Sequence, residues 1–342
     1  MIGLVYVAFW LLDGLVRGNT SPEAAPWRAG MMAALVIVCL IGMWRARVRV
    51  PPAWGAMIGI LSALSVAEIY HYRPTGGGLS TWVIYALVLF ACSVSQRDWT
   101  RDLALAGLVI GGLVLVAAPA GFPPGGMFNR NMVAATLVAL APATWARWRW
   151  WAAVPFFAAV ITGSRGALAA GLAGIIVLAR PWERIGGRWS WLAAPGAALL
   201  AAGLVAIRPA TVMRRVECLG EVMVRWWASS PMFGLGPTFM MKLDSWGGAP
   251  ADDAHSLIPT LAAQAGIVGL FIIALAIGCL VRRPDRLPTM RWQWATLAAV
   301  GTLSIIEDVA AWWPVGIVAV MAIANLSQVH IAKRDGVHVD TT

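Results

Sequence analysis

Residues 208–281 read RPATVMRRVECLGEVMVRWWASSPMFGLGPTFMMKLDSWGGAPADDAHSLIPTLAAQAGIVGLFIIALAIGCLV. Two halves of opposite character meet inside this stretch. From Arg208 to His255 the chain is polar and carries Arg208, Arg214, Arg215, Arg225 and Lys242, while from Ser256 to Val281 it is apolar. Elsewhere the apolar runs are joined by connections of roughly ten residues or fewer, and a longer polar excursion is usually a lid over a site or the site itself. His255 stands at the seam, and the active centre is expected there.

Working outward, hydrophobic residues make up 60% of the 342 and charged residues 12%, with a mean hydropathy of +0.74. A soluble chain carries about 25% charge, so the composition predicts an integral membrane protein. Apolar runs lie near residues 1–16, 27–44, 53–72, 79–95, 102–119, 131–146, 150–162, 165–180, 189–207, 256–281, 291–306 and 311–330. The expectation is therefore an all-α, polytopic membrane protein of about twelve transmembrane helices. It is read as one domain, 1–342, with a long periplasmic segment, 208–255, inside it. The opening MIGLVYVAFWLLDG lacks a basic leader and a small-residue cleavage site, and reads as the first span. Residues 131–162 read as two spans or one broken one.

The net charge of +10 would point to nucleic acid in a soluble protein, but here the charges fall between apolar runs and read as topology signals, so no nucleic-acid partner is expected. With a cytoplasmic N-terminus every inner connection is basic, from Arg45, Arg47 and Arg49 to Lys333 and Arg334, as the positive-inside rule requires. This orients a multi-pass protein with both termini cytoplasmic and the active site on the periplasmic or extracytoplasmic side. Many of the twenty tryptophans, Trp99, Trp145, Trp150, Trp151 and Trp292 among them, sit at run ends and read as a headgroup-level belt. The four cysteines (Cys39, Cys92, Cys218, Cys279) are scattered and suggest neither a disulfide framework nor a metal site.

Three stretches, GGMFNRNMVAA (Gly125–Ala135), TGSRGALAAG (Thr162–Gly171) and the arginine, SPMFGLGPTF and AHSLIPTLAAQAGIVGL series of residues 214–270, together resemble the O-antigen ligase and polymerase superfamily. The match covers roughly residues 125–275. In that family a Gly-x-Phe-x-Asn-x-Asn pattern corresponds to Gly126, Phe128, Asn129 and Asn131, a Ser-Arg-Gly helix start to Ser164 and Arg165, and the third block to Arg214 or Arg215 followed by a Pro-x-x-Gly-x-Gly turn. Ser256 stands where the family often has asparagine, and Gln264 where it often has glutamate. The resemblance implies a membrane glycosyltransferase of the bacterial inner membrane. It would move a glycan from an undecaprenyl-diphosphate carrier to an acceptor on the periplasmic side, lipid A–core in a ligase. Joining of carrier-linked units by a polymerase, or transport of the lipid-linked sugar, is the alternative. The implied partners are the polyprenyl-diphosphate-linked glycan donor, the glycan acceptor and the lipid bilayer.

That donor sets the chemistry the residues must supply. The diphosphate leaves with charge to be neutralised, and the arginine fork binds phosphate oxygens bidentately while staying protonated. Arg165 follows Gly163 and Ser164 at a helix start, where free backbone N–H groups also favour an anion; a snorkelling interfacial arginine is the other reading. In TVMRRVECLGEVMVRWWASS the apolar residues Val212, Val216, Leu219, Val222, Met223, Trp226 and Trp227 recur at a helical period. An amphipathic helix near 211–229 is predicted, lying on the membrane with Trp226 and Trp227 as anchors. Arg215, or Arg214 beside it, is the second diphosphate contact, and Arg225 is a supporting or surface residue. His255 is the candidate general base, since an imidazole titrating near ~6.5 can take the proton of an attacking hydroxyl. Asp252 and Asp253 can orient it, or Asp253 caps the helix beginning near Ser256. Asn129, Asn131 and Ser164 are supporting candidates. No HExxH, P-loop or clustered Asp-x-Asp is present; no cofactor is expected, and metal-independent transfer is predicted.

Overall fold

The computed structural model describes residues 98–118, 130–179, 209–235, 241–243, 249–251, 256–281, 291–306 and 313–334, together with Tyr85, Val88, Leu89 and Cys92. The runs predicted at 1–16, 27–44, 53–72 and 189–207, most of the run at 79–95, and Asn129, Asp252, Asp253 and His255 lie outside the described residues. In chain order the described elements are α1 (Thr100–Ala117), α2 (Arg130–Arg147), a 3-10 turn (Arg149–Ala152), α3 (Ala153–Ile161), α4 (Arg165–Ala179), α5 (Pro209–Ser229), strands β1 (Met241–Leu243) and β2 (Ala249–Ala251), α6 (Leu257–Val281), α7 (Arg291–Ile306) and α8 (Trp313–Arg334). The strands pair antiparallel, Met241 opposite Ala251 and Leu243 opposite Ala249.

The hub is α2. Met132 to Leu140 are all buried, as are Pro142, Ala143 and Thr144, and α1, α3, α4, α7 and α8 pack around it. Small side chains allow this density: Ala134, Ala135, Ala139 and Ala143 are fully buried between larger Leu137 and Leu140. Interior packing at this density costs something for every misplaced methylene. The helices approach closely at glycines. A Cβ on Gly107 of α1 would stand 2.7 Å from the Thr144 hydroxyl, and one on Gly174 of α4 would stand 3.3 Å from the Ala295 carbonyl oxygen. Two hydroxyls stitch the layers, Thr144 donating to the Ala104 carbonyl at 3.4 Å and Thr296 to the Ala139 carbonyl at 3.1 Å. At the start of α1 the Asp98 carboxylate accepts the Thr100 N–H at 2.9 Å and the Asn325 amide of α8 at 3.5 Å.

This architecture corrects the expected one. Instead of about twelve transmembrane helices, the described residues form eight α-helices. One of these, α1, is long and apolar enough to cross a membrane, and half of that window is buried inside the protein. The physical reason is that an apolar run marks burial without saying in what medium, and a helix apolar all round is equally at home in a protein core. A span needs about 17–25 residues, whereas α3 has 9, α4 has 15 and α7 has 16. The apolar run after Ser256 is not one uninterrupted helix, because α6 breaks at Gly266 (φ 66°, ψ −172°). The multi-pass placement in the inner membrane, with cytoplasmic termini and a periplasmic site, rested on the span count and falls with it. The tryptophan belt is corrected in part: Trp150 and Trp151 are exposed, but Trp99 and Trp292 are core residues.

Candidate functional site

Contacts along the helices fix which ends lie together. A Cβ on Gly171 would meet Phe156 at 3.1 Å and Val138 at 3.5 Å. Residues 156 and 171 lie evenly about the tight turn at Thr162–Ser164, so α3 and α4 form an antiparallel hairpin. The 3-10 turn likewise folds α3 back on α2, so α2 and α4 run the same way. Counting from that shared level at 1.5 Å per residue, Arg130 is about 12 Å and Arg165 about 9 Å towards the respective helix starts. The start of α1 lies beside the end of α2, through Thr144 and Ala104, and the later part of α8 is tied there by Asn325. The beginning of α8, and the end of α7 that precedes it, therefore lie at the opposite end, where α2 and α4 start. The Ser256 hydroxyl donates to the Ser304 carbonyl of α7 at 3.3 Å, which brings the start of α6 to the same end. Arg130, Asn131, Ser164, Arg165 and Ser256 are thus gathered at one end of the bundle, although they are scattered over more than a hundred residues of sequence.

The local folding around Arg165 follows from its neighbours. The Thr162 hydroxyl donates to the Ala159 carbonyl at 2.7 Å and accepts the Ser164 N–H at 3.3 Å. Gly163 takes the left-handed conformation (φ 69°) and its N–H reaches the Val160 carbonyl at 3.0 Å. The Ser164 carbonyl then accepts the Leu168 N–H at 3.1 Å, opening α4. The first N–H groups of a helix have no acceptor within it, and Arg165 is the first residue of α4. A Cβ on Gly163 would meet nothing within 4 Å, so space is open next to this helix start. Ser164 is buried and Arg165 half-buried. No acidic side chain among the described residues pairs with Arg165. Arg225, in contrast, holds Glu221 at 2.5 Å on its own helix.

The other predicted cations sit on α5. Its buried stripe is Cys218, Val222 and Trp226, packed with Ala262 and Ala263 of α6. Arg215 falls three residues before Cys218, in line with that stripe, and is half-buried; Arg214 points away and is exposed. Arg215, the better fit by spacing to Pro231, and its alternative Arg214 thus differ in burial. Trp226, expected as a lipid anchor, is only 4% exposed because it faces α6, while Trp227 is 63% exposed.

The turn Pro231–Leu235 closes onto the break in α6. The Leu235 N–H donates to the Ala263 carbonyl at 2.6 Å, and the Ile267 and Val268 N–H groups donate to the Pro231 and Met232 carbonyls at 2.9 and 3.1 Å. The Gly-x-Gly turn and the Gln-x-Gly-x-x-Gly segment are two halves of one joint. Sequence reasoning quoted both stretches without pairing them; two glycine motifs bracketing a hairpin were the available signal. Ser304 was missed altogether, and a serine inside an apolar run gives no sign of a tie 48 residues away.

Among the described residues no group of three or more His, Cys, Asp or Glu side chains comes together that could hold a metal. The glycan transfer expected from the resemblance, with its ligase, polymerase and transporter forms and its role in lipopolysaccharide assembly, presupposed a many-span membrane enzyme. With one helix of span-like length and composition among the described residues, that expectation is corrected. Compared with protein-family models and with curated proteins, the chain matches none.

Proposed function

We propose that the chain binds a phosphate- or diphosphate-bearing ligand at the end of the bundle where α2, α4 and α6 begin, with Arg165 as the principal cationic contact. The observation that carries this reading is the start of α4. A half-buried guanidinium with no acidic partner among the described residues stands at a helix start, with open space over Gly163. A phosphate oxygen answers both, since helix starts favour anions and guanidinium binds phosphate through paired N–H donors. Arg215 is the second cation of this reading, and Asn131 and Ser164 are the neutral hydrogen-bonding groups.

Titration calorimetry with inorganic pyrophosphate in the presence of EDTA tests it. A hydrogen bond to a charged group contributes about 1.5–3 kcal/mol, so Arg165→Gln should weaken binding by roughly 10- to 150-fold, and Arg165→Lys should recover only part of it because the fork is lost. Equal affinity for wild type and Arg165→Gln would refute the reading.

A further inference from the structure

We propose that the interlock between Pro231–Leu235 and the break in α6 is the positioning device of the anion site, holding α5 and its Arg215 to both halves of α6 across Gly266. The role in anion binding rests on the reading above; the mechanical role does not. Both crossing points are glycines that nothing else can replace. Gly234 has φ 75°, and Gly266 has φ 66° with ψ −172°, a region essentially reserved for glycine. A Cβ on Gly234 would fall well inside 3.0 Å of the Gln264 carbonyl, and one on Gly266 equally close to the Met232 carbonyl. These obstacles are backbone, so they cannot swing aside.

The interlock also satisfies the groups that the break exposes. A broken helix leaves N–H and C=O groups without partners, and at Ala263, Ile267 and Val268 the turn supplies them. Its position gives it a purpose beyond closing the helix. Among the described elements α5 packs mainly on α6 and β1, and the turn that follows it is bonded to α6 through its backbone. From Arg215 the links run through α5 to the turn, which bonds Ala263 before the break and Ile267 and Val268 after it; the start of α6 is in turn tied through Ser256 to Ser304, at the end of the bundle that holds Arg165. Losing the joint should free α5 and leave the core around α2 intact.

The test uses the full chain with Gly234→Ala, Gly266→Ala and, as a control in open space, Gly112→Ala. Amide hydrogen exchange is followed in 209–235 and in α2, and pyrophosphate affinity is measured with and without Arg215→Gln. The expected result is at least tenfold faster exchange across 209–235 in both joint variants, with α2 no faster than in wild type and the control no faster in either region. Pyrophosphate affinity should fall about tenfold, and adding Arg215→Gln to Gly266→Ala should cost nothing further. Unchanged exchange in 209–235, or faster exchange in α2 as well, overturns the device. An Arg215→Gln penalty of equal size in both backgrounds overturns the positioning role. If the wild-type chain fails to bind pyrophosphate, the anion reading and the positioning role fall together, while exchange still judges the joint.

Discussion

Gly107 and Gly112 lie on the same helix, α1, and the same substitution should have opposite effects at the two. Replacing a mid-helix glycine by alanine gains about 0.5–1 kcal/mol from backbone entropy. At Gly112 nothing lies within 4 Å of the new Cβ, so that gain should appear undiminished. At Gly107 the methyl would stand 2.7 Å from the Thr144 hydroxyl and 3.3 Å from the Leu140 Cβ. The hydroxyl cannot turn away without loss, because it is buried and its single proton is shared between the Leu140 carbonyl at 3.1 Å and the Ala104 carbonyl at 3.4 Å. Overpacking of this kind costs about 1–3 kcal/mol, which exceeds the gain. We expect Gly112→Ala to be more stable than wild type, Gly107→Ala less stable by about 1–2 kcal/mol, and the two to melt several degrees apart, at about 2 °C per kcal/mol for a domain of this order. Scanning calorimetry or a denaturant titration reads the difference directly. If Gly107→Ala is as stable as Gly112→Ala, the α1–α2 seam is not packed as described.

The remaining expectations concern single ties. Thr296→Val keeps the side-chain shape but removes the donor to the Ala139 carbonyl, and should cost about 1 kcal/mol, seen as a lower denaturation midpoint at unchanged m-value. Asp98→Ala loses the acceptor for the Thr100 N–H and the Asn325 amide. It should cost about 1–2 kcal/mol, part of it shared with Asn325→Ala, so a double-mutant cycle should show the two to be non-additive. Arg225→Gln breaks a half-exposed pair within one helix; stability should change by less than about 0.5 kcal/mol and pyrophosphate affinity should not change, an outcome a binding isotherm can contradict.

How much of this could be read beforehand differs from element to element. The stretch 212–227 was legible as a helix because its apolar positions recur at the helical period, and the turn residues Thr162–Ser164 announced the start of α4. The face each side chain takes was less legible: Trp226 and Trp227 are adjacent and alike, yet one is buried on α6 and the other exposed. The architecture was misread because periodicity and hydropathy report that a side chain leaves water, and α2 does so against five other helices. The break at Gly266 was hidden for a related reason. Its flanking residues are apolar, and the turn that stabilises it lies about thirty residues upstream. That a helix starts at Arg165 could be read from its immediate neighbours, whereas its grouping with Asn131 and Ser256 depends on hairpin closures that no local pattern encodes.

A helix that every neighbour leans on has little room to vary. Between Met132 and Thr144 all but one of the side chains are buried, and an enlarged residue there would be felt by several packing partners at once. In a library of random variants selected only for surviving expression, changes should accumulate freely at positions such as Val116, Trp150 and Val224, and scarcely at all along this central helix.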